Sequence, residues 1–307
     1  MKSTKSCVGF SLTSSKLQFV EIEKKSDLLQ VINIGQTFFS PQLNFEDHNE
    51  NYILDHLQSA FDELKIRHPI SSTIGSFVFP PELFLTIQLP YDSHLNQNEI
   101  REEFSWELSQ LFPFVKVEDL ALKFYELDDS FLPERKEALV VAFNKKYLML
   151  IKNFCLQNTL TAKLVDNSSI TANSFIINHF KSDQKSSSIN LFNSKNSLTL
   201  FINGSSKPAF VKVFPKEGDN FINSIAKEIN GENLKEYLNT PLQYALVSGE
   251  EPEAELLAEL QMRTGTMFEK FNPFESLILK FDFHNYKIPV EEFNSFTSAV
   301  GIASRFS

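Results

Sequence analysis

Glycine is scarce in this chain, 9 residues in 307, and so are cysteine, with 2, and tryptophan, with 1. Loops that cradle phosphate depend on glycine for close backbone approach, so its scarcity counts against them. Cys7 and Cys155 lie far apart in different apolar contexts, which excludes a disulfide framework and a cysteine-based zinc site. They read as buried free thiols. The six histidines (His48, His56, His68, His94, His179 and His284) form no HxxxH or HExxH pair that would suggest a metal site, and read as surface or locally satisfied side chains. Nowhere do about 18 apolar residues follow one another, and Met1 to Val8 carries two lysines but no sustained apolar run. No membrane span is expected, and the cytoplasm is the expected location. Positive charge is in deficit: 29 Lys and Arg against 39 Asp and Glu leave a formal charge of −10, which opposes broad contact with nucleic-acid phosphate.

Core material is abundant, with 42% hydrophobic residues and 31 phenylalanines, enough for roughly two domains. Phe10, Leu12, Leu17, Phe19, Val31 and Ile34 alternate with polar residues and predict a three-strand meander. Ile53, Leu54, Leu57, Phe61 and Leu64 predict a helix over 51–65, stopped at His68-Pro69. Residues 76–90 predict two strands broken by Pro80-Pro81. A capping box of Asn96 with Glu99 then opens a helix carrying Ile100, Phe104, Leu108 and Leu111 before Pro113. Leu120–Leu127 and Ala138–Phe143 predict strands joined by a charged hairpin loop, so 76–143 reads as a compact β-α-β insert. A helix near 145–157, a strand over 162–165 and a helix near 168–180 complete the first half, and 182–188 reads as a polar linker. The second half predicts strands near 189–202 and 209–214, a short helix near 219–229, a loop around Gly231, a strand over 244–249, a helix over 253–263, a strand and turn over 267–274 and a closing helix over 295–306.

Two stretches share one design. Val8–Ile22 and Ile189–Asn203 each run strand, Ser-rich turn, strand. Related halves that each open on such a hairpin, with the turns facing a central cleft, are a known way to hold a nucleotide's phosphates. In its order of elements the chain resembles the PilM-type type IV pilus assembly proteins of the actin-like ATPase superfamily. Gly9 to Ile22 is similar, without gaps, to that family's first phosphate hairpin, GIDIGSSSVKVVEL, and Ile189 to Gly204 to its second, VDIGASSTTLNVLHNG. Phe104 to Phe114 resembles the R-W-E-x-E-x-Y-I-P-F helix end and keeps Trp106, Glu107, Pro113 and Phe114. Thr161 to Asp166 resembles L-x-P-x-x-V-D, Val247-Ser248-Gly249 the start of the adenosine motif LSGGG, Phe271 to Phe274 the NPF that follows, and Ala299 to Ala303 the A-x-G-L-A close.

The resemblance spans nearly the whole chain. It implies an α/β fold of actin-like (ribonuclease H-like) duplicated lobes with an inserted β-α-β subdomain, 1C. By the same resemblance, subdomain 1A covers 1–75 and 144–187, 1C covers 76–143, 2A covers 188–215 and 241–307, and a reduced 2B covers 216–240.

The departures from the family pattern bear on chemistry. In the family an aspartate in each hairpin helps organise a metal around the phosphates, and glycines admit backbone N–H groups. Here those positions are Ser11 and Thr13 in the first hairpin and Asn190 and Phe192 in the second, the lysine position is Gln18, and SGGG is replaced by Ser248-Gly249-Glu250-Glu251. Two like charges at about 4 Å repel by roughly 4 kcal/mol at an effective dielectric near 20, so carboxylates there oppose a polyphosphate. The resemblance therefore implies a degenerate nucleotide site, comprising Ser11, Thr13, Ser14, Ser15, Lys16, Asp166, Asn190, Asn193, Ser194, Lys195, Ser248 and Gly249, in a pseudo-ATPase with no catalytic residue, metal site or required cofactor. Ser14, Ser15, Lys16, Ser194 and Lys195 could still hold an anion weakly, so residual ATP and Mg binding stays open.

PilM-type proteins sit at the cytoplasmic face of the inner membrane and grip the N-terminal peptide of a bitopic partner, PilN, between subdomains 1A and 1C. The resemblance implies the same for a PilN-like partner of this chain, through an extended peptide whose main-chain bonds give affinity and whose alternate pockets give specificity. Candidate groove residues are Phe77, Phe79, Phe84, Ile87 and Trp106, with core packing an equal reading for the first four and the favoured one for Trp106. Asp166 either faced the cleft or caps the helix near Ser168. Glu250-Glu251 reads as a solvated turn, because adjacent loop carboxylates rarely converge on one atom. A working Mg-ATPase and a polymerising actin homologue stay open as alternatives, as do self-association and the partner's identity.

Overall fold

Alternation of apolar and polar residues at the start of the chain gives three antiparallel strands, β1 (Lys5–Leu12), β2 (Lys16–Lys25) and β3 (Leu28–Phe38). The structure, a computed structural model, describes residues 5–25, 28–131, 134, 136–180, 186–217, 220–238, 240–250, 252, 254–281, 286 and 288–305. The expected linker at 182–185, Glu251 and His284 lie outside the described residues. The first half continues with α1 (Glu50–Arg67), β4 (Ile74–Phe79), a 3-10 turn at Pro81–Leu83, β5 (Phe84–Pro90), α2 (Gln97–Leu111), β6 (Leu120–Glu126), β7 (Glu137–Asn144), α3 (Lys145–Gln157), β8 (Thr161–Asn167) and α4 (Ser168–His179). The second half holds β9 (Ser187–Asn193), β10 (Ser197–Asn203), β11 (Pro208–Pro215), α5 (Phe221–Ile229), α6 (Glu232–Leu238), β12 (Leu242–Gly249), α7 (Ala254–Thr264), β13 (Glu269–Lys270), β14 (Ile278–Leu279) and α8 (Thr297–Ala303). Asparagine caps the first four helices: Asn49, Asn96, Asn144 and Asn167 each accept from a first-turn N–H, and Asn96 with Glu99 closes the capping box.

The strands form three sheets, ordered β14-β3-β2-β1-β4-β8, β11-β10-β9-β12-β13 and β5-β7-β6. Apart from β14, the first two are the same sheet built twice. Each places its strands in the order third, second, first, fourth, fifth, with the first three antiparallel and the last two parallel to the first. The duplication expected from the two hairpins is therefore present throughout both lobes.

Four details differ from the expectations. Phe77 and Phe79 lie on β4, which pairs with β1 and β8 in the first sheet, so the inserted three-stranded sheet begins after Phe79 and not at 76. β4, apolar but for Ser76, is a central strand, buried on both faces. In the stretch assigned to the second lobe, β14 pairs with β3 and α8 packs on β1, returning the chain to the first lobe. The loop expected around Gly231 is followed by α6, whose Leu234 and Tyr237 share one buried face three residues apart. The closing helix is split, with 3-10 geometry over Val290–Phe296 before α8.

Phenylalanine fills the interior of the first lobe. Phe10 stacks on Phe77 with centroids 4.9 Å apart, and Phe61 and Phe154 meet them edge-on. On the other side of β1 lies α8, every residue of which is buried. It approaches so closely that a Cβ at Gly9 would stand 2.3 Å from the Ala299 carbonyl oxygen and 2.8 Å from the Ala303 Cβ. Any side chain at that position must push the helix off the strand. Gly9→Ala is expected to lower stability by about 1–3 kcal/mol, the range for overpacking a core, measured by urea unfolding; an unchanged midpoint would show that α8 can shift freely.

Candidate functional site

The two hairpin turns face each other between the lobes. Each is closed in the same way, by Thr13 N–H to the Lys16 carbonyl at 3.0 Å and by Ser194 N–H to the Ser197 carbonyl at 2.9 Å. In the first, Thr13 Oγ1 accepts from the N–H groups of Ser15 (3.2 Å) and Lys16 (3.1 Å), so the turn's own donors are consumed internally. The Ser14 and Ser15 carbonyls accept from the Leu43 and Phe39 N–H groups. Across the gap, Lys195 Nζ donates to Gln42 Oε1 at 2.5 Å and Lys216 Nζ to the Ser194 carbonyl at 2.6 Å.

Between the turns remains a cavity of about 20 Å³, lined among others by Ser11, Thr13, Phe192, Ser194, Gly249 and Glu250. That is room for one water. Neutral hydrogen-bonding groups occupy its walls: Ser11 Oγ meets Ser298 Oγ at 3.1 Å, and the Gln18 amide meets Ser295 Oγ at 2.8 Å. Lys16, itself buried, reaches the same Ser295 hydroxyl at 3.3 Å. An adjoining cleft of about 600 Å³ opens toward the Pro81–Leu83 turn and β11, and carries the carboxylates of Glu46, Glu82, Glu217 and Glu250 against the single lysine Lys195.

Several solved structures share this architecture. One, described as a PilM-PilN type IV pilus biogenesis complex, superposes with a TM-score of 0.68 at 16% identity, over 97% of this chain and 98% of that one. A Bacteroides thetaiotaomicron protein with an actin-like ATPase fold and unknown function gives 0.55 at 12% identity, over 89% and 93%. The cytoplasmic domain of EpsL, an inner-membrane component of the type II secretion system of Vibrio cholerae, gives 0.50 at 10% identity, over 98% and 97%. The chain has the actin-like ATPase fold. No protein-family model and no curated protein matches it.

Within that fold the residues singled out from sequence separate into those at the hairpin gap and those elsewhere. Ser11, Thr13, Asn193, Ser194 and Gly249 line the small cavity, and Ser14 and Lys195 line the adjoining cleft. Asn190 does not reach either. Its Nδ2 donates to Asn173 Oδ1 at 2.7 Å, at the start of a buried amide chain that continues through Asn203 to Ser188. Ser248 is buried within β12. Gly249 has φ +96°, and a Cβ there would lie 2.2 Å from the Asn193 carbonyl oxygen, so glycine is required for the ends of β9 and β12 to meet.

Asp166 is not the helix cap; Asn167 is. The buried Asp166 carboxylate instead accepts the Tyr125 hydroxyl at 2.9 and 3.1 Å, pairs with Arg305 and has Lys123 Nζ at 3.5 Å. Burial, reinforced by the Asp166 charge, drives the Tyr125 phenol far above its usual range, so it stays protonated and donates to Asp166. This cluster joins the inserted sheet to the end of β8.

The expected partner-binding residues also divide. Phe77 and Phe79 are fully buried, in the aromatic core with Phe10, Phe154, Phe45 and Phe143, and cannot touch a partner. Phe84 is buried and stacks on Phe143 at 4.2 Å. Ile87, opposite Val140, faces α2 instead of the first lobe. Trp106, for which packing was the favoured reading, is 64% exposed on the far side of α2.

A different groove does run between the insert and the first lobe. It measures about 450 Å³ and is walled by Phe124, Tyr125 and Leu139 on one side and Ile170, Ser174 and Ile177 of α4 on the other. At one end Lys207 of the β10–β11 turn pairs with Glu126 at 3.6 Å. Sequence reasoning missed these residues, and also Ser295 and Ser298. The Asn294-Ser295-Phe296-Thr297-Ser298 run before the A-x-G-L-A-like helix was the available signal for the last two. Among the described residues no group of three or more His, Cys, Asp or Glu could hold a metal ion, and no helix is long and apolar enough to cross a membrane.

Glu250 gives a pH signature. Burial raises its carboxyl above the ordinary value, an effect only partly countered by Lys16 and other lysines. A carboxyl raised on folding contributes fully below its unfolded pKa, and that contribution is lost as pH rises through the folded pKa. Glu250→Gln is therefore expected to raise the melting temperature at neutral pH and to leave it unchanged near pH 3.5, below the unfolded carboxyl's pKa of about 4.3. Equal shifts at both pH values would refute the assignment.

Proposed function

We propose that the chain is a scaffold of a type IV pilus or related secretion or motility machine, peripheral to the cytoplasmic face of an inner membrane, and that its nucleotide site is vestigial. Its work is to hold the N-terminal cytoplasmic peptide of a PilN-like single-span membrane protein. The observation that carries this reading is the groove between the insert and α4. The groove has an apolar floor and is bordered by β6, an edge strand of the inserted sheet whose main-chain groups can pair with an extended peptide. Support also comes from the likeness over almost the full length to a chain of a PilM-PilN type IV pilus biogenesis complex.

A magnesium nucleotide is poorly served by the residues present. Pockets for small ligands usually measure about 300–1,000 Å³, whereas the gap between the hairpins measures about 20 Å³. The larger cleft beside it would set four carboxylates against the phosphates.

Calorimetry with a synthetic peptide copying the cytoplasmic N-terminus of a PilN-like single-span protein from the same organism is expected to show saturable binding. Ser174→Trp, which fills the groove from a partly exposed position, is expected to weaken it about tenfold or more, or 1.4 kcal/mol. In the same instrument Mg-ATP is expected to give no saturable heat. Peptide binding untouched by Ser174→Trp would remove the groove from the reading, and micromolar Mg-ATP binding would restore the alternative of an active actin-like ATPase.

A further inference from the structure

The insert presents a second surface, on the side of α2 turned away from both lobes. Ile100, Phe104 and Leu108 of α2 are buried against Ala138, Val140 and Ala142 of β7. Trp106 stands two residues from both Phe104 and Leu108, and at 3.6 residues per turn that offset points it away from the sheet. Leu111, 52% exposed, lies at the end of the Phe104 and Leu108 stripe, and Phe114, 99% exposed, follows the helix, so Trp106 is the large apolar side chain of the outer face. The chain thus leaves its one tryptophan 64% exposed on the outer face of α2, and an exposed indole of this kind is a frequent anchor of protein contacts.

The surrounding charge says what would fill it. Glu102 and Glu103 precede Trp106 by four and three residues, the spacing that makes them its neighbours on a helix, and Glu107 follows directly. Among the described residues none of the three is in an ion pair, and one carboxylate oxygen of Glu103 is buried without a hydrogen-bond partner. Burial and then the Glu103 charge raise the Glu107 carboxyl, as unrelieved crowding of like charges does. An indole face flanked by unpaired carboxylates suits a guanidinium or ammonium, through cation–π attraction and charge-assisted hydrogen bonds together. A second copy of a chain with net charge −10, an anionic lipid surface or a nucleic acid would bring the wrong sign.

We propose that the outer face of α2, centred on Trp106 with Glu102, Glu103 and Glu107, docks a protein partner through an Arg- or Lys-bearing amphipathic segment. This contact is separate from the groove along α4. The insert thereby offers two faces to two binding partners.

Because Trp106 is the chain's single tryptophan, its fluorescence reports on this site alone. A displayed library of random linear peptides is panned on the full chain, and enriched peptides are synthesised and titrated by tryptophan emission and by anisotropy. Enriched peptides are expected to carry Arg or Lys beside aliphatic or aromatic residues and to shift the Trp106 emission saturably. They should bind Trp106→Ala and Glu103→Lys about tenfold or more weakly and Ser174→Trp unchanged. Both α2 variants alter partly or largely exposed positions, and circular dichroism with thermal melting checks that they fold. The proposal is overturned if no peptide is enriched, if the enriched peptides are neutral or acidic, or if their binding survives Trp106→Ala. Binding lost in Ser174→Trp but kept in Trp106→Ala assigns the peptides to the groove and equally overturns it.

Discussion

The close approach of α8 to β1 is the constraint on which the rest of the structure depends. Small residues, Gly9 on the strand and Ala299 and Ala303 on the helix, allow backbone contact with no intervening side chains. The helix also packs on β2, β4 and α4, and comes from a segment whose preceding strand β14 has already joined the first sheet. The chain's end thus locks its beginning. Ser295 and Ser298, at the entry to α8, are delivered directly under the first hairpin, where they meet Gln18, Lys16 and Ser11. The position of the helix and the chemistry of the gap are therefore one problem.

That gap is lined mainly by neutral groups, with Glu250 in its wall and Lys16 reaching Ser295. A phosphate-binding turn needs N–H groups pointing outward and room for the oxygens. Here Thr13 Oγ1 takes up the turn's own N–H groups, Phe192 contributes an aromatic ring where a small residue would leave space, and serine and glutamine side chains bond to one another across what remains. Those side chains find one another without a ligand, while Ser14 Oγ, Asn193 Oδ1 and Glu250 Oε1, on the walls of the gap and the adjoining cleft, are buried without a hydrogen-bond partner. Direct hydrogen bonds also join the two sides of the cleft, among them Lys195 to Gln42 and Ser197 to Glu82.

The sequence made the local elements readable where one period dominated. The capping box at Asn96, the alternation through β1 to β3 and the paired hairpins all led to the observed elements, because each depends on neighbours in the chain. What could not be read depended on distant partners. Phe77 and Phe79 have the composition of any apolar strand, and only the pairing of β4 between β1 and β8 decides that they belong to the core. Asn190 occupies the hairpin position of a metal-organising residue, yet the side chain is claimed by Asn173 on α4, 17 residues away in sequence. Asp166 looked like a helix cap because it stands one residue from the true cap, and its ion pair with Arg305 spans 139 residues. Trp106 was misjudged for the opposite reason: aromatic residues on an amphipathic helix are usually buried, and this one sits on the polar face.

The inserted sheet explains why a fold with little room between its hairpins can still be firmly held. The Gln88 side-chain Oε1 accepts from the Val211 N–H at 3.3 Å, the Asp128 N–H donates to the Pro208 carbonyl at 2.8 Å, and Phe131 packs against Tyr237 at 5.7 Å. Each contact runs from the insert to the second lobe, while Tyr125 and Lys123 fasten the same sheet to Asp166 of the first. An element tied to both lobes resists the opening motion that nucleotide exchange would require, since opening must break all of these contacts together. The same rigidity favours docking, because a groove or helix face already held in one shape loses little conformational entropy when a peptide arrives. On the proposed function, the contacts that hold the lobes together are thus the ones that hold the insert's surfaces in shape for a partner.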